Sequence, residues 1–374
     1  MARPAKILFV RVGRAGDIVM VTAALRRLLA REQTANVHVL TSRDGQRVLR
    51  DFDPRVTRFL LHDRKSPLEV FRRRALRRII RAEGYDRIYC FELNPSYQNL
   101  WRDAGATVHT VQNTAAVMNY AVRCLRVVDP DYDEGRDPQW VSLPVAVAGQ
   151  EKARALLQQA GIEDDAYIVG FHPSFSGLSK SWIRSLVQRQ QKAWPVASYG
   201  LLAKLLTDHA AERGIKLRVV MDMLPEDRAI GEAVTRASGN RITLLTAPPD
   251  FDRYKALLAR MDLLVVPNTG PMHIAAAVGT NVVALFAGLD PRDSGPYIPA
   301  TRAAVLRAED GAHPELGLAA ISPHQVFAAC CRYLPQRASV LSRGNLALTY
   351  IRQLNKFELL HSLIPDPSPG GRRE

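Results

Sequence analysis

Short apolar runs rich in β-branched residues alternate along this chain with longer segments of helical period, and this alternation restricts its fold more than any other feature. In the first third, such runs occupy residues 6–12, 37–42, 56–62, 86–92 and 107–112. Helical segments follow them, the longest at about 17–31 and 67–83. Because parallel strands need long, usually helical connections, the pattern predicts a mostly parallel sheet with helices on its faces.

The alternation stops at residues 129–150, which are rich in Asp, Pro and Gly and have no helical stripe. It restarts with apolar runs at 166–172, 216–222, 241–246, 262–267 and 281–286. We therefore predict an α/β protein of two consecutive doubly wound domains, residues 1–150 and 151–335. Residues 336–374 are predicted to be a helical extension with a disordered tail, since the chain ends in PDPSPGGRRE.

The charge of the chain narrows the choice of partner. Its 374 residues include 51 Lys and Arg against 37 Asp and Glu, a formal net charge of +14, which indicates a polyanionic partner. Nucleic acid, anionic lipid and a phosphorylated substrate all fit, but no nucleic-acid-binding module supports the first. The N-terminus resembles no signal peptide, and no apolar run approaches the ~18–20 residues that span a bilayer. We expect a cytoplasmic protein, free or on the cytosolic face of a membrane.

Ligands of doubly wound sheets bind at the carboxyl ends of strands, so the strand-to-helix corners are the candidate sites. At the first corner, Gly13, Gly16 and Asp17 lie between a strand and a helix. Their spacing matches neither the dinucleotide fingerprint nor the P-loop. Asp17 has two interpretations here, a cap of the helix or a general base that faces a cleft.

Two corners of the second half carry further candidates. The hydroxyls of Ser174 and Ser176 and the ammonium of Lys192 could converge on an anionic group, although solvated loop residues would look the same. After the run at 216–222, Asp222 or Glu226 could hydrogen-bond a ribose diol. An acidic first turn also stabilises a helix without any ligand, so structure alone explains that pattern as well.

The fourth corner has the densest set of polar groups. Its residues are Asn268, Thr269, Gly270, Pro271, Met272 and His273. A flexible glycine and a first-turn proline place a helix N-terminus here, and the unpaired N–H groups and helix dipole of such a terminus form an anion site. A simple tight turn would leave this polar run unaccounted for.

With these corners in order, the chain resembles glycosyltransferase family 9, the ADP-heptose:lipopolysaccharide heptosyltransferase family. The resemblance is carried by the segments GDIVMVTAALRRL, HPSFSG, KAWPVASYGLLAKLL and PNTGPMHIAAAVGTNVVALFAGLDPRDSGPY. It implies a GT-B fold, in which two Rossmann-like domains face each other across a central cleft. It also implies an inverting transfer without metal or cofactor. The sugar would pass from a nucleotide donor, usually ADP-heptose, on the second domain to a phosphorylated lipopolysaccharide core or related lipid-linked saccharide on the first.

The resemblance also assigns roles to single residues. Asp17 becomes the general base, and Lys192 and the helix N-terminus at Pro271 stabilise the departing diphosphate. Glu226 or Asp222 matches the ribose-binding carboxylate. Further diphosphate candidates are Ser174, Ser176, Thr269, Gly270, Met272 and His273, the last as an anchor of the loop or a phosphate contact.

Two departures from the family pattern leave alternatives open. Asn268 stands where the family commonly has an aspartate that contacts the donor sugar. A different donor sugar, or a nucleotide-sugar-binding protein without catalysis, is therefore an alternative function. Residues 178–191 separate the serine loop from Lys192 more widely than usual and are interpreted as a lid or an acceptor-binding loop.

A basic helix gives the positive charge a possible partner. Six arginines fall within residues 72–81, and their face is predicted to meet an anionic membrane surface or lipopolysaccharide phosphates. The apolar stripe of the same helix is predicted to pack on the core. Its residues are Phe71, Ala75, Leu76, Ile79 and Ile80.

Overall fold

The computed structural model of the chain describes residues 3–63, 69–114, 116–174 and 191–335. Its first half contains a parallel sheet with the strand order β3-β2-β1-β4-β5. The strands are β1 (Lys6–Val10), β2 (Asn36–Thr41), β3 (Val56–Leu61), β4 (Arg87–Cys90) and β5 (Thr107–Thr110). The helices are α1 (Ala15–Val19), α2 (Thr22–Arg31), α3 (Arg43–Leu49), α4 (Glu69–Glu83) and α5 (Tyr120–Val128).

The second half contains another parallel sheet, with the strand order β11-β10-β9-β6-β7-β8. Its strands are β6 (Tyr167–Phe171), β7 (Leu217–Asp222), β8 (Ile242–Leu245), β9 (Leu263–Pro267), β10 (Asn281–Phe286) and β11 (Ala303–Arg307). The helices are α6 (Val147–Gln159), α7 (Val196–Glu212), α8 (Arg228–Ala237), α9 (Phe251–Arg260), α10 (Gly270–Val278), α11 (Pro291–Ser294) and α12 (Pro323–Cys331).

Every apolar run named in the sequence contains a strand, so the predicted alternation and the α/β class are confirmed. The central strands explain why the signal was strong: β9 is buried along its whole length, as a parallel strand covered by helices on both faces must be. Two details differ from the prediction. The helix expected over 17–31 is divided into α1 and α2 by a tight turn at Met20 and Val21, and β11 was not predicted because this edge strand is mostly half-exposed.

Of the apolar clusters formed by the described residues, one is shared by the two halves, and the others belong to one half each. A single cluster of buried side chains includes Ile7 and Phe9 of β1 together with Val220 of β7 and Val266 of β9. The connection between α5 and α6 joins the second half through its backbone, because the Leu143 amide donates to the carbonyl oxygen of Ala277 at 2.9 Å. Two Rossmann-like sheets thus face each other, as a GT-B fold requires. The domain boundary at residue 150 stays a prediction.

Helix α4 departs from its predicted packing. Only Leu76 and Ile80 of the apolar stripe are buried, whereas Phe71 is 67% exposed and Ile79 is also exposed. The prediction that the whole stripe packs on the core is therefore wrong. The reason is geometric: α4 lies beside β3, the edge strand of the sheet, and this short strand covers only part of the helix face.

Two further findings concern membrane spans and thiols. Within the ranges given above, no helix is long and apolar enough to cross a bilayer. Cys90, Cys124 and Cys330 are buried free thiols, whereas Cys331 is only partly buried. The predicted roles of Ser176 and of residues 178–190, and the predicted extension at 336–374, fall outside the described residues.

Candidate active site between the two halves

The first and fourth corners meet at the contact between α1 and α10. A Cβ added to Gly16 would lie 2.9 Å from the Cα of Gly270 and 3.1 Å from Cδ2 of His273. Real Cβ atoms do not approach a backbone carbon this closely, so the two helix N-termini touch only because residue 16 is glycine. The contact brings the Gly-Asp corner of one half against the Thr-Gly-Pro corner of the other.

Asp17 lies in the first turn of α1, with its side chain 49% exposed. Its Oδ2 accepts the backbone N–H of Arg14 at 3.0 Å. Asp17 is therefore not the N-cap residue but reaches back to it, as the acidic residue of a capping box does. Gly13 makes room for this conformation, because a Cβ there would lie 2.7 Å from the same oxygen. The cap and the exposed carboxylate are thus two properties of one side chain.

Lys192 comes from the second half and is half-buried. Burial lowers the pKa of its ammonium group, the positive charge of Arg14 lowers it further, and Asp17 acts in the opposite direction. The lysine is therefore electrostatically coupled to the Asp17 corner across the junction. The predicted convergence of Lys192, Ser174 and Ser176 on an anionic group stays a prediction.

The N-terminus of α10 carries the predicted anion-binding features. Thr269 is its N-cap residue, yet its hydroxyl donates to the carbonyl oxygen of Pro267 at 3.2 Å and does not cap the helix. The first-turn N–H groups therefore have no side-chain cap. His273 follows one turn later and is only 8% exposed, and its buried Nδ1 has no hydrogen-bond partner among the described residues.

The histidine ring also has an unusually low pKa. Burial lowers the pKa of His273 to about 4, although the nearby Asp17 carboxylate acts to raise it. The ring is therefore neutral at physiological pH, and one of its nitrogens is a donor and the other an acceptor. Thr269, Gly270, Pro271 and His273 thus lie together at the end of β9, where the described residues leave Nδ1 of His273 unsatisfied. Met272 is fully buried and packs beneath this surface.

Asn268 connects this surface to the short helix α11. Its Nδ2 donates to the Ser294 hydroxyl at 3.4 Å, and its backbone N–H donates to the Leu285 carbonyl at 3.0 Å. Beside Ser294, the Asp293 carboxylate pairs with Arg123 of the first half at 2.6 Å. The position where this chain departs from the family pattern therefore lies next to an ion pair between the halves.

The remaining candidates are arranged differently. The hydroxyl of Ser174 is buried and lies 3.4 Å from Nε2 of His172. Asp222 ends β7 and pairs with Arg253 at 3.3 Å; burial raises the pKa of this carboxyl, and Arg253 acts to lower it. Glu226 is exposed on the 3₁₀ turn Pro225–Asp227. Asp222 is thus already engaged with Arg253, whereas Glu226 is accessible.

A buried charged group behind Asp17 was missed in the sequence. Arg11, just after β1, lies 3.5 Å from Oδ1 of Asp17 and 3.6 Å from Oε1 of Glu92, just after β4. Both residues fall inside runs that were read as strands. Charged side chains at the carboxyl end of a buried strand are the signal that could have identified them.

Comparisons with known proteins bear on this site. Residues 150–320, which contain Lys192 and the α10 corner, match the model of "Glycosyltransferase family 9 (heptosyltransferase)". The resemblance to glycosyltransferase family 9 is confirmed. A 111-residue segment of the chain is 27% identical to the lipopolysaccharide core heptosyltransferase OpsX of Haemophilus influenzae, and it covers 29% of this chain and 30% of that relative. The matched segment thus includes one of the two corners that meet.

Solved structures extend the likeness in fold to the first half. The family 9 glycosyltransferase of Veillonella parvula superposes with a TM-score of 0.71 at 18% identity, over 88% of this chain and 97% of that one. The ADP-heptose lipopolysaccharide heptosyltransferase II of E. coli gives a TM-score of 0.64 at 21% identity, over 87% and 97% of the two chains. At these identities the likeness establishes the fold, and the predicted GT-B fold is confirmed.

Proposed function

We propose that this chain is an inverting glycosyltransferase that needs no metal and transfers a sugar, most simply heptose, from ADP-heptose to the phosphorylated core of a lipopolysaccharide or a related lipid-linked saccharide. One observation carries the proposal: Gly16, next to the half-exposed Asp17, contacts Gly270 at the N-terminus of α10 across the junction of the halves. A proton acceptor and an anion-binding site are the two parts that such a transfer needs on opposite sides of the sugar.

The chemistry follows from this placement. Asp17 accepts the proton of the acceptor hydroxyl as its oxygen forms a bond to the anomeric carbon. The bond between that carbon and the diphosphate breaks on the opposite face, and the electron pair leaves with the diphosphate, so the anomeric configuration inverts. The negative charge of the leaving group develops at the N–H groups of α10 and at the Lys192 ammonium. Fixed positive groups at that point stabilise the transition state more than the ground state.

His273 and Ser174 complete the donor side in this proposal. The neutral ring of His273 has a buried nitrogen without a partner in the described structure, and a phosphate oxygen or hydroxyl would satisfy it. Ser174 contributes a hydroxyl at the end of β6. Glu226 is the ribose candidate, since the carboxylate of Asp222 is occupied by Arg253.

The acceptor side of the proposal includes α4 on the first half. A groove of about 330 Å³ lies between β3 and α4. Its lining combines apolar and basic side chains, namely Arg58, Phe59, Leu60, Leu61, Arg72, Ala75, Leu76 and Ile79. Exposed Val70 and Phe71 extend the apolar surface beside it. Apolar surface rimmed by arginines is complementary to anionic lipid, so we propose that this face meets the cytosolic surface of a membrane.

The first experiment is a transfer assay with ADP-heptose and extracted core saccharide, with products identified by mass spectrometry. Asp17→Asn keeps the size of the side chain but removes the base, and is expected to lower kcat by about 10²- to 10⁴-fold. The donor Kd, measured by calorimetry, should stay within about twofold because Asp17 does not hold the donor. Full activity of Asp17→Asn would exclude the assigned base.

A second candidate function rests on Asn268. The amide can hydrogen-bond a sugar hydroxyl but offers no negative charge, so a nucleotide-sugar-binding protein without turnover, or a transferase for another sugar, fits this position as well. A binding screen of nucleotide sugars separates these possibilities from the first. Tight donor binding without transfer to any acceptor, for both the natural chain and Asn268→Asp, would favour the binding protein. A changed order of donor preference in Asn268→Asp would assign specificity to this position.

A further inference from the structure

Arg11 occupies an enclosed position behind the Asp17 carboxylate. Its side chain is only 14% exposed, and its Nη1 donates to the carbonyl oxygen of Phe91 at 2.9 Å. Its Nη2 lies 3.5 Å from Oδ1 of Asp17. The guanidinium group is thus anchored on β4 and directed at the carboxylate of α1.

Two further residues hold Arg11 in this place. The ring of Tyr120 lies 4.8 Å from the guanidinium carbon, close enough for a cation–π contact, and its hydroxyl donates to the same carbonyl of Phe91. Glu92 is 3% exposed, and its Oε1 accepts the Val12 N–H at 2.6 Å. Because this backbone hydrogen bond holds the Glu92 carboxylate, we expect Glu92 to keep its position when Arg11 is replaced.

The distances indicate that one guanidinium group is shared between two carboxylates. It lies 3.6 Å from Glu92 and 3.5 Å from Asp17, both beyond the length of a direct hydrogen bond. Arg27 and Asp129 show the contrast, because that pair makes two direct hydrogen bonds of 2.9 and 2.7 Å to one carboxylate oxygen. Asp17 is therefore attracted and oriented by Arg11 without being closed off from a substrate.

We propose that Arg11 is a positioning residue for Asp17 and that Glu92 limits how strongly Arg11 draws on that carboxylate. This inference rests on the proposed function for its effect on turnover. Removal of Arg11 takes away a positive charge and makes the Asp17 carboxylate easier to protonate. Neutralisation of Glu92 leaves Arg11 with one carboxylate partner and makes Asp17 harder to protonate. The two changes therefore have opposite signs.

Other ionisable groups also face Asp17 and are left unaltered in the test. They are Arg14, which precedes α1 and donates its backbone N–H, Lys192 from the second half, and His273 from α10. None of these groups contacts Arg11 through a described hydrogen bond or ion pair. A substitution at Arg11 or Glu92 therefore changes the surroundings of Asp17 from one side only.

The test compares Arg11→Met, Arg11→Lys and Glu92→Gln with the unaltered chain. In the pH dependence of kcat, the acidic limb should move to higher pH in Arg11→Met and to lower pH in Glu92→Gln. Both displacements should be modest, because solvent screens the charges next to the half-exposed Asp17 side chain. At neutral pH, kcat of Arg11→Met should fall about 10-fold or more with unchanged donor KM. Arg11→Lys should recover part of this activity, since lysine restores the positive charge but not the planar guanidinium group.

A titration of the unliganded chain separates this inference from the proposed function. The Asp17 carboxyl carbon is assigned by its loss in Asp17→Asn, and its protonation midpoint is followed by NMR in each variant. Opposite displacements in Arg11→Met and Glu92→Gln support the inference even if the chain transfers no sugar. If transfer is observed but neither variant moves the midpoint or the acidic limb, the positioning role is wrong. Arg27→Met is the control, because it removes a partly buried ion pair remote from Asp17 and should lower the melting temperature without moving either readout.

Discussion

The contact between Gly16 and Gly270 makes a quantitative prediction for Gly16→Ala. Carbon atoms in contact prefer about 3.5–4.0 Å, whereas the added Cβ would lie 2.9 Å from the Cα of Gly270. The α1 and α10 backbones would therefore have to separate by roughly 0.6 to 1.1 Å. This displacement acts directly on the distance between Asp17 and the donor side of the proposed site.

The expected magnitudes follow from two opposing effects on stability and one effect on activity. Overpacking costs about 1–3 kcal/mol, and alanine in a helix regains about 0.5–1 kcal/mol over glycine. A net loss of about 0 to 2.5 kcal/mol in the free energy of unfolding should result. Because a misplacement of about 1 Å can cost on the order of 10²-fold in rate, kcat should fall far more than stability suggests.

The assay combines urea unfolding, donor calorimetry and kcat for each variant. Gly135→Ala is the matched control, since its added Cβ would meet only Oδ1 of Asp133, at 3.4 Å, on a loop outside the site. For Gly270→Ala the nearest atom would be the Gly16 nitrogen at 3.6 Å, so its stability should change little. If Gly16→Ala keeps kcat within twofold and its full stability, the close approach of α1 and α10 does not set the geometry of the site.

Three further predictions concern charge. Burial lowers the pKa of Lys192, so its positive charge should be lost at a lower pH than that of an exposed lysine. ADP affinity should therefore fall as the pH is raised through this range, and Lys192→Met should abolish that fall. His273 has a folded pKa of about 4, below the unfolded value, so its contribution is present above about pH 6.5 and is lost as pH falls towards 4. Between pH 7.5 and 5, urea unfolding should therefore show a loss of stability about 2 kcal/mol larger in the natural chain than in His273→Gln, since His172, whose pKa burial also lowers to about 4, contributes equally to both. Replacement of Arg72, Arg74 and Arg78 by glutamine should weaken binding to phosphatidylglycerol vesicles, measured by co-sedimentation, by about 1 kcal/mol per charge. Binding to phosphatidylcholine vesicles should be negligible, and equal binding to both lipids would contradict the proposed membrane face.

The sequence predicted those features that depend on local pattern. Apolar runs located the strands, and the rule that ligands bind at strand carboxyl ends selected the corners with Asp17 and with Thr269 to His273. Both corners proved to be in contact because they end β1 and β9, central strands of the two facing sheets.

The missed features depend on which elements become neighbours. Arg11 and Glu92 are 81 positions apart, and only the pairing of β1 with β4 makes them partners. The exposure of Phe71 likewise depends on the place of β3 at the edge of its sheet. Periodicity identifies an apolar face but does not determine how much of it a neighbour covers.

The apolar core that runs through both halves has a consequence for how the molecule comes apart. Side chains of β1, β7 and β9 belong to one buried cluster, so part of the interior of each half is completed by the other, in addition to the cluster that each half forms alone. Loss of either half would expose carbon-rich surface on the other, so the two should melt together in one transition rather than in sequence. A chain cut at residue 146 would not yield two separately stable pieces, and exchange of halves with a distant homologue would require matched surfaces on both sides of the cut.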